Sequence, residues 1–409
     1  MMNALVLQTG GPTAVFNASL GGVIETWQRA GVGRLWGARR GLKGLVGGEW
    51  VELTQYHDRP EAPLASQPGA ALGAGRDRLS DEDLPAALDG LARWGIGAVF
   101  ILGGNGSMAA AHRLAEGARA AGYQTNGQPL RVVGVPKTVD NDLAGTDFAP
   151  GFPSAARCLA QTVLDIGLDL RSMAGFDQVA VVEVMGRHAG WLAAATALAR
   201  ANPAHPPHLI LMPEIPLDEN AWLAAVQTQV EQGGVCLVAA SEGVRDLAGT
   251  FLTEKGGSLQ RDGSGQRMLG FGAGVASYLA RLVGERLGLR CRQMRLDTVQ
   301  RSSRTLVSAV DRACAFAAGE AAVQVALAGQ SDIMMGLVRS TGEPHAARAA
   351  QQGSIQWGVA PVSLREIVGH ERRFPAEWLA PPFDIAPTYL DYLRPLVDGW
   401  QPDGFDLLS

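Results

Sequence analysis

No stretch of this 409-residue chain is apolar for long enough to span a bilayer. The N-terminus runs straight into an apolar strand, without the basic start and apolar core of a secretory signal. Cysteine is scarce. Cys158, Cys236, Cys291 and Cys314 are scattered and lack metal-type pairing, so reduced thiols in a cytoplasmic protein are the expectation. The seven histidines form no H-E-x-x-H or comparable cluster, which argues against a structural zinc site. A net charge of −5 leaves no electrostatic footprint for DNA or RNA. Two nucleotide-binding signatures are also missing. There is no G-x-x-x-x-G-K-[ST], and no G-x-G-x-x-G follows the first strand, so a Walker loop is excluded and a dinucleotide dehydrogenase gets little support.

What the chain does have is a large apolar fraction, 47%, with 18% charged residues, the balance of a globular protein with a substantial core. Its length suits two related domains. Many of its 52 glycines follow apolar runs, where tight strand-to-helix turns and phosphate loops need them. The run 3–9 reads as a buried strand ending at Gly10-Gly11-Pro12-Thr13. A helix follows over about 14–29, with Val15, Ile24 and Trp27 on one face. Strand, glycine turn and helix form an anion-binding layout. A Gly-Gly pair alone is common in turns, and Asn17 reads either as a site ligand or as a polar residue on the exposed face. A second strand, 98–102, leads into Gly103-Gly104-Asn105-Gly106-Ser107 and an Ala-rich helix, with Ser107 expected to cap the helix and donate to phosphate.

The most informative run follows the strand 131–135: Pro136-Lys137-Thr138-Val139-Asp140-Asn141-Asp142. It brings a lysine and two carboxylates out together at a strand's C-terminal edge, where open α/β sheets bind ligands. That trio suits phosphoryl transfer, with one carboxylate as base, another near a metal, and a cation against the phosphate charge. Further strands at 179–184, 209–212 and 235–238 end at Met185-Gly186-Arg187-His188, at Pro213-Glu214 and at Ser241-Glu242-Gly243, with a helical segment at 152–170. Alternating strands and helices imply parallel sheets with right-handed crossovers. The polar, glycine-rich segment 255–270 reads as a mobile loop, and 281–304 is unusually basic. Beyond about residue 344 the pattern weakens into short, proline-containing segments.

Taken in this order and spacing, the motifs resemble the phosphofructokinase family over about residues 3–342. The matching residues are Gly10-Gly11 with Asn17, Gly104-Asn105-Gly106-Ser107, Thr138-Val139-Asp140-Asn141-Asp142, Met185-Gly186-Arg187, Glu242 and Gln300-Arg301. The resemblance implies two similar Rossmann-like α/β domains with mainly parallel sheets and an active site in the cleft between them. The donor domain is expected over 1–151 with part of 275–360, the sugar-phosphate domain over 152–299, and a C-terminal extension over 361–409. Asp140 resembles the base that takes the proton of the sugar C1 hydroxyl, with Lys137, Thr138 and Asp142 as its catalytic neighbours. Thr138, Met185, Gly186, Arg187 and Glu242 would contact the sugar phosphate, and Arg301 its 6-phosphate. Arg292 looks like the arginine that reaches that phosphate from a neighbouring subunit, which implies a homodimer or homotetramer. Gly11, Arg76, Gly104, Asn105, Gly106 and Ser107 would hold the donor with Mg²⁺, Asn105 standing where the ATP branch has a metal-associated Asp.

Gln178 and Thr298 replace a sugar-phosphate Arg and His of that branch. These losses leave open a longer ketose phosphate as acceptor, or a non-catalytic sugar-phosphate-binding paralogue. Lys137 is the residue of pyrophosphate enzymes, whereas Gly106 is the ATP-branch residue where those enzymes usually carry Asp. Weighting Gly106 more heavily makes ATP the expected donor and fructose 6-phosphate the acceptor, with pyrophosphate the alternative.

Overall fold

The computed structural model describes residues 2–202, 204–256, 274–341, 348–352 and 355–402. Most of the segment expected to be a mobile loop, 257–270, lies outside these. The chain forms two compact units, Met1–Ser154 with Arg301–Arg372, and Ala155–Gln300 with Arg373–Ser409. The tail expected to form one extension, 361–409, is therefore shared between them. Both units are α/β with mainly parallel sheets.

In the first unit the strands Leu35–Ala38, Asn3–Gln8, Ile96–Gly103, Arg131–Pro136 and Ile333–Thr341 lie side by side in that order, all parallel. The strand side-chain period of two explains why helices can cover both faces. Leu5 and Leu7 pack with Val99, Ile101 and Met108, while Ala4 and Val6 pack with Phe100, Leu102 and Trp27 in a separate cluster. Antiparallel strands close each side. Trp50–Glu52 joins Leu35–Ala38, and Ile355–Ser363 pairs with both Ile333–Thr341 and Arg348–Gln352. The region beyond residue 344 thus contributes real sheet edge. Its strands are short on apolar alternation, as RAAQQ at 348–352 shows, so the period-two signal is weak there.

The helix Phe16–Ala30 ends at Gly31, whose φ of 65° only glycine adopts without strain. It crosses the helix Ala309–Leu327 at backbone contact. A Cβ on Gly22 would stand 2.1 Å from the Phe316 carbonyl oxygen, and one on Gly319 would stand 2.1 Å from that of Ser19.

The second unit has four parallel strands in the order Cys291–Arg295, Val179–Val184, Cys236–Ser241 and Leu209–Leu211. The helix Glu219–Gly233 begins where the Asp218 carboxylate accepts from Asn220 N (2.9 Å) and Ala221 N (3.2 Å), an N-cap. Trp191 is fully buried in an aromatic cluster with Phe374, Trp378, Tyr389 and Tyr392, and the Tyr389 hydroxyl donates to Trp191 O at 3.0 Å. All four cysteines are free thiols. Among the described residues no helix is long and apolar enough to cross a membrane.

Candidate active site

Three strand ends of the first unit build one cluster. After Asn3–Gln8 the chain turns through Gly10, whose φ is 82° and whose N–H donates to Gly75 O at 2.8 Å. Gly11 is hemmed in by cations. A Cβ there would lie 2.4 Å from Arg301 Nη1 and 3.7 Å from Arg76 Nη2, and Lys137 Nζ donates to Gly11 O at 2.8 Å. The turn requires glycine at position 10 through its positive φ, and Gly11 lets the charged ends of these side chains come close to the backbone. Lys137 is 3% exposed and lies 4.8 Å from the Phe16 ring centroid. Burial, reinforced by the Arg301 charge, pulls its ammonium down to about 7 from the usual lysine value.

Lys137 N also donates to Gly103 O (2.9 Å), which ties the 137–142 run to the second loop. Gly104, not Ser107, is the N-cap of the helix Asn105–Ala120. Ser107 is buried inside the first turn with its hydroxyl against Gly103, so the expected cap is corrected. Asn105 Nδ2 reaches Asp142 O at 3.4 Å, and a Cβ on Gly106 would meet nothing within 4 Å. Thr138 Oγ1 accepts from Asp140 N at 3.1 Å and hydrogen-bonds the Asp142 carboxylate. Asn141 adopts φ 53° and is fully buried, its Oδ1 accepting from Ala149 N at 2.9 Å. This left-handed residue lies between the two aspartates, whose charges are close enough to act on one another. Burial, and then the negative charges of Asp140 and Glu371, raise the Asp142 carboxyl well above the usual range.

Asn17 is buried, not on an exposed face. It is 3% exposed, donates to Gln67 O (3.1 Å) and accepts from Gln8 Nε2 (3.1 Å) and Ala71 N (2.8 Å), fastening the 67–71 segment that leads to Arg76.

In the second unit, the C-terminal ends of Val179–Val184 and Cys236–Ser241 are laced together. Glu242 N donates to Val184 O (2.8 Å), and the Ser241 hydroxyl donates to Gly186 O. Gly186 has φ 128°, and a Cβ on Gly243 would lie 2.0 Å from Arg187 O. Arg187 and Glu242, both half-buried, are carried out on adjacent strand ends. Gln300, which motif matching left without a role, is 2% exposed and its Oε1 accepts from Met185 N at 3.0 Å. Arg292 is elsewhere. It pairs with Ala180 near the start of its strand and forms ion pairs with Asp177 and, at 3.3 Å, Asp169. Gln178 precedes the same end. Along a strand rising about 3.3 Å per residue, Ala180, the partner of Arg292, is roughly 16 Å from Met185.

The family profile described as Phosphofructokinase matches residues 3–326. The chain belongs to the phosphofructokinase family. A pyrophosphate–fructose 6-phosphate 1-phosphotransferase of Xanthomonas campestris is 38% identical over 98% of this chain and 92% of the relative. A crystal structure of a pyrophosphate-dependent phosphofructokinase from Marinobacter aquaeolei superposes with a TM-score of 0.83 at 34% identity, covering 99% of this chain and 94% of that one. An ATP-dependent 6-phosphofructokinase of Corynebacterium efficiens is more distant, 31% identical over 82% of this chain and 90% of the relative. These relationships overturn ATP as the expected donor. The physical reason is that the open space at Gly106 removes a clash but adds no attraction for a donor.

Proposed function

We propose that the chain transfers a phosphoryl group from pyrophosphate to the C1 hydroxyl of fructose 6-phosphate, giving fructose 1,6-bisphosphate. One observation carries the donor assignment: Lys137, Arg76 and Arg301 converge on Gly11. Three cations around one peptide suit a small, dense polyanion, and two planar guanidinium groups offer forked contacts to its oxygens. Arg301, expected at the sugar 6-phosphate, stands among the donor residues and is assigned to the phosphoryl group in flight.

In-line transfer needs alignment, charge neutralisation and a base. Asp140 takes the C1 hydroxyl proton, its backbone fixed by the Thr138 hydroxyl. Lys137 follows the transferred phosphate, and Met185, Gly186, Arg187 and Glu242 hold the sugar. Arg292, paired at the far end of its sheet, is assigned to the 6-phosphate bound by a neighbouring copy in a homo-oligomer. Mg²⁺ keeps several waters and needs only one or two carboxylates besides phosphate oxygens. Asp140 and Asp142 fit that need, since the crowding of Asp142 by Asp140 and Glu371 is what a cation would relieve. Among the described residues no group of three or more His, Cys, Asp or Glu side chains is set to hold a metal. A bound Mg²⁺ would be held by Asp140 and Asp142 with Asn105 nearby, and would supply charge neutralisation on the phosphate oxygens.

The test is kcat/KM for each donor with Mg²⁺ and fructose 6-phosphate. Pyrophosphate is expected to exceed ATP by at least about tenfold, and Asp140→Asn to lower kcat by about 10²–10⁴-fold. ATP turnover equal to or above that with pyrophosphate would reject the donor. An Asp140→Asn enzyme as fast as wild type would reject the base.

A further inference from the structure

Asp311 is fully buried in the first turn of the helix Ala309–Leu327, and no step described so far uses it. Its carboxylate grips one short segment. Oδ1 accepts from Gly151 N at 2.9 Å, and Oδ2 accepts from Ser154 N at 3.1 Å and from the Ser154 hydroxyl at 2.5 Å. Ser154 Oγ in turn accepts from Ser308 N (3.2 Å), and Ser308 Oγ accepts from Asp311 N (3.2 Å). The ring of bonds closes on itself.

The segment it grips leads directly to the proposed base. Gly151 is bridged in parallel to Thr138, whose N–H donates to Pro150 O at 3.2 Å and whose hydroxyl holds Asp140 N. Gly151 also touches the first glycine loop. Its φ is 108°, and a Cβ there would come within 2.6 Å of Thr13 Cγ2. From Asp311 to Asp140 there are two intervening residues, Gly151 and Thr138, joined by a β-bridge, and the links at either end are hydrogen bonds from a backbone N–H to a side-chain oxygen. A buried charge is costly unless its lone pairs are filled. A purely packing role would be served by an apolar side chain.

We propose that Asp311 is a positioning residue, a buried clamp that holds 150–154 so that Thr138 and Asp140 stay aligned for proton removal. The kinetic part of this inference rests on the reaction proposed above. An amide cannot replace the carboxylate, because its NH₂ would face an N–H or hydroxyl donor. Asp311→Asn is expected to lower kcat about 10²-fold, the scale of an ångström-sized misplacement. The KM values for pyrophosphate and fructose 6-phosphate should stay within about threefold. Ser308→Ala removes the helix cap, lowering Tm, but leaves the carboxylate's bonds to Gly151 and Ser154 in place, so its kcat should stay within about threefold of wild type. If Asp311→Asn does not fold, Ser154→Ala, which deletes one arm of the clamp, takes its place with an expected loss of about tenfold.

Amide hydrogen exchange over 138–142 in the donor-free protein reads the same clamp without any turnover. Exchange should quicken in Asp311→Asn and not in Ser308→Ala. That result would support the clamp even in a protein inert with pyrophosphate, where only the donor reading would fall. Unchanged exchange and kcat in Asp311→Asn would overturn the proposal, as would a kcat loss in Ser308→Ala that tracks its Tm.

Discussion

Lys137 is a cation in a place that disfavours one. Buried against Gly11 and Phe16 with Arg301 alongside, it has a pKa near 7 in the donor-free protein. Between about 7 and the ordinary lysine value, the unfolded chain binds the proton that the folded one has lost. The contribution of this group to stability therefore rises with pH across that window. A polyanion beside Nζ reverses the situation and draws the proton back. Pyrophosphate binding at pH 8 is expected to take up about one more proton in wild type than in Lys137→Met. Calorimetry in two buffers of different ionisation enthalpy measures the difference, and equal uptake in both proteins would reject the assignment. At this scale the 137–142 run was legible in the sequence because its chemistry is contiguous. Asn17 and Gln300 were not, since the partners that define them, Ala71 and Met185, lie 54 and 115 positions away. Gly106 misled for a different reason: a missing side chain tells what is permitted, not what is bound.

At the scale of elements, the crossing of Phe16–Ala30 over Ala309–Leu327 has no side chain between its backbones at Gly22 and Gly319. A methyl group there meets a carbonyl oxygen that belongs to a helix and cannot turn aside. Gly319→Ala is expected to destabilise the protein by about 1–3 kcal/mol despite its better helix propensity. Gly284→Ala, on the helix Gly274–Leu287 with open space at its Cβ, should be neutral or slightly stabilising. Urea unfolding of the pair checks this, and equal midpoints would refute it. The parallel strands at 3–9, 98–102, 131–135, 179–184, 209–212 and 235–238 were readable because each is an apolar run closed by glycine or a polar turn, whereas Cys291–Arg295, with the sequence CRQMR, carries no such run. The antiparallel strands Arg348–Gln352 and Ile355–Ser363 escaped because segments such as RAAQQ carry little apolar contrast. The Ser107 cap was misplaced by three positions because Gly104 already has the extended backbone that an N-cap needs.

For the whole molecule, two compact α/β units followed from the family motifs, but the division of the tail at residue 372 did not, since no composition shift marks it. The first unit is discontinuous. Residues 1–154 alone lack the strand Ile333–Thr341, which covers one side of Arg131–Pro136, and the helix Ala309–Leu327, which carries Asp311. That fragment is expected to show no cooperative thermal transition by circular dichroism, and a sharp melt like that of the full chain would refute this reading. The same discontinuity sets a clock during synthesis. Arg131–Pro136 leaves the ribosome about 200 residues before the strand that completes its sheet, a delay of about 10–40 s at ordinary translation rates. Throughout it the nascent chain displays an apolar, unpaired strand edge, the kind of surface that chaperones engage and that neighbouring nascent chains pair with. The last third of the gene product thus acts as a late-arriving guard for its first third, and slowing translation between codons 155 and 330 would lengthen the time that edge goes unguarded.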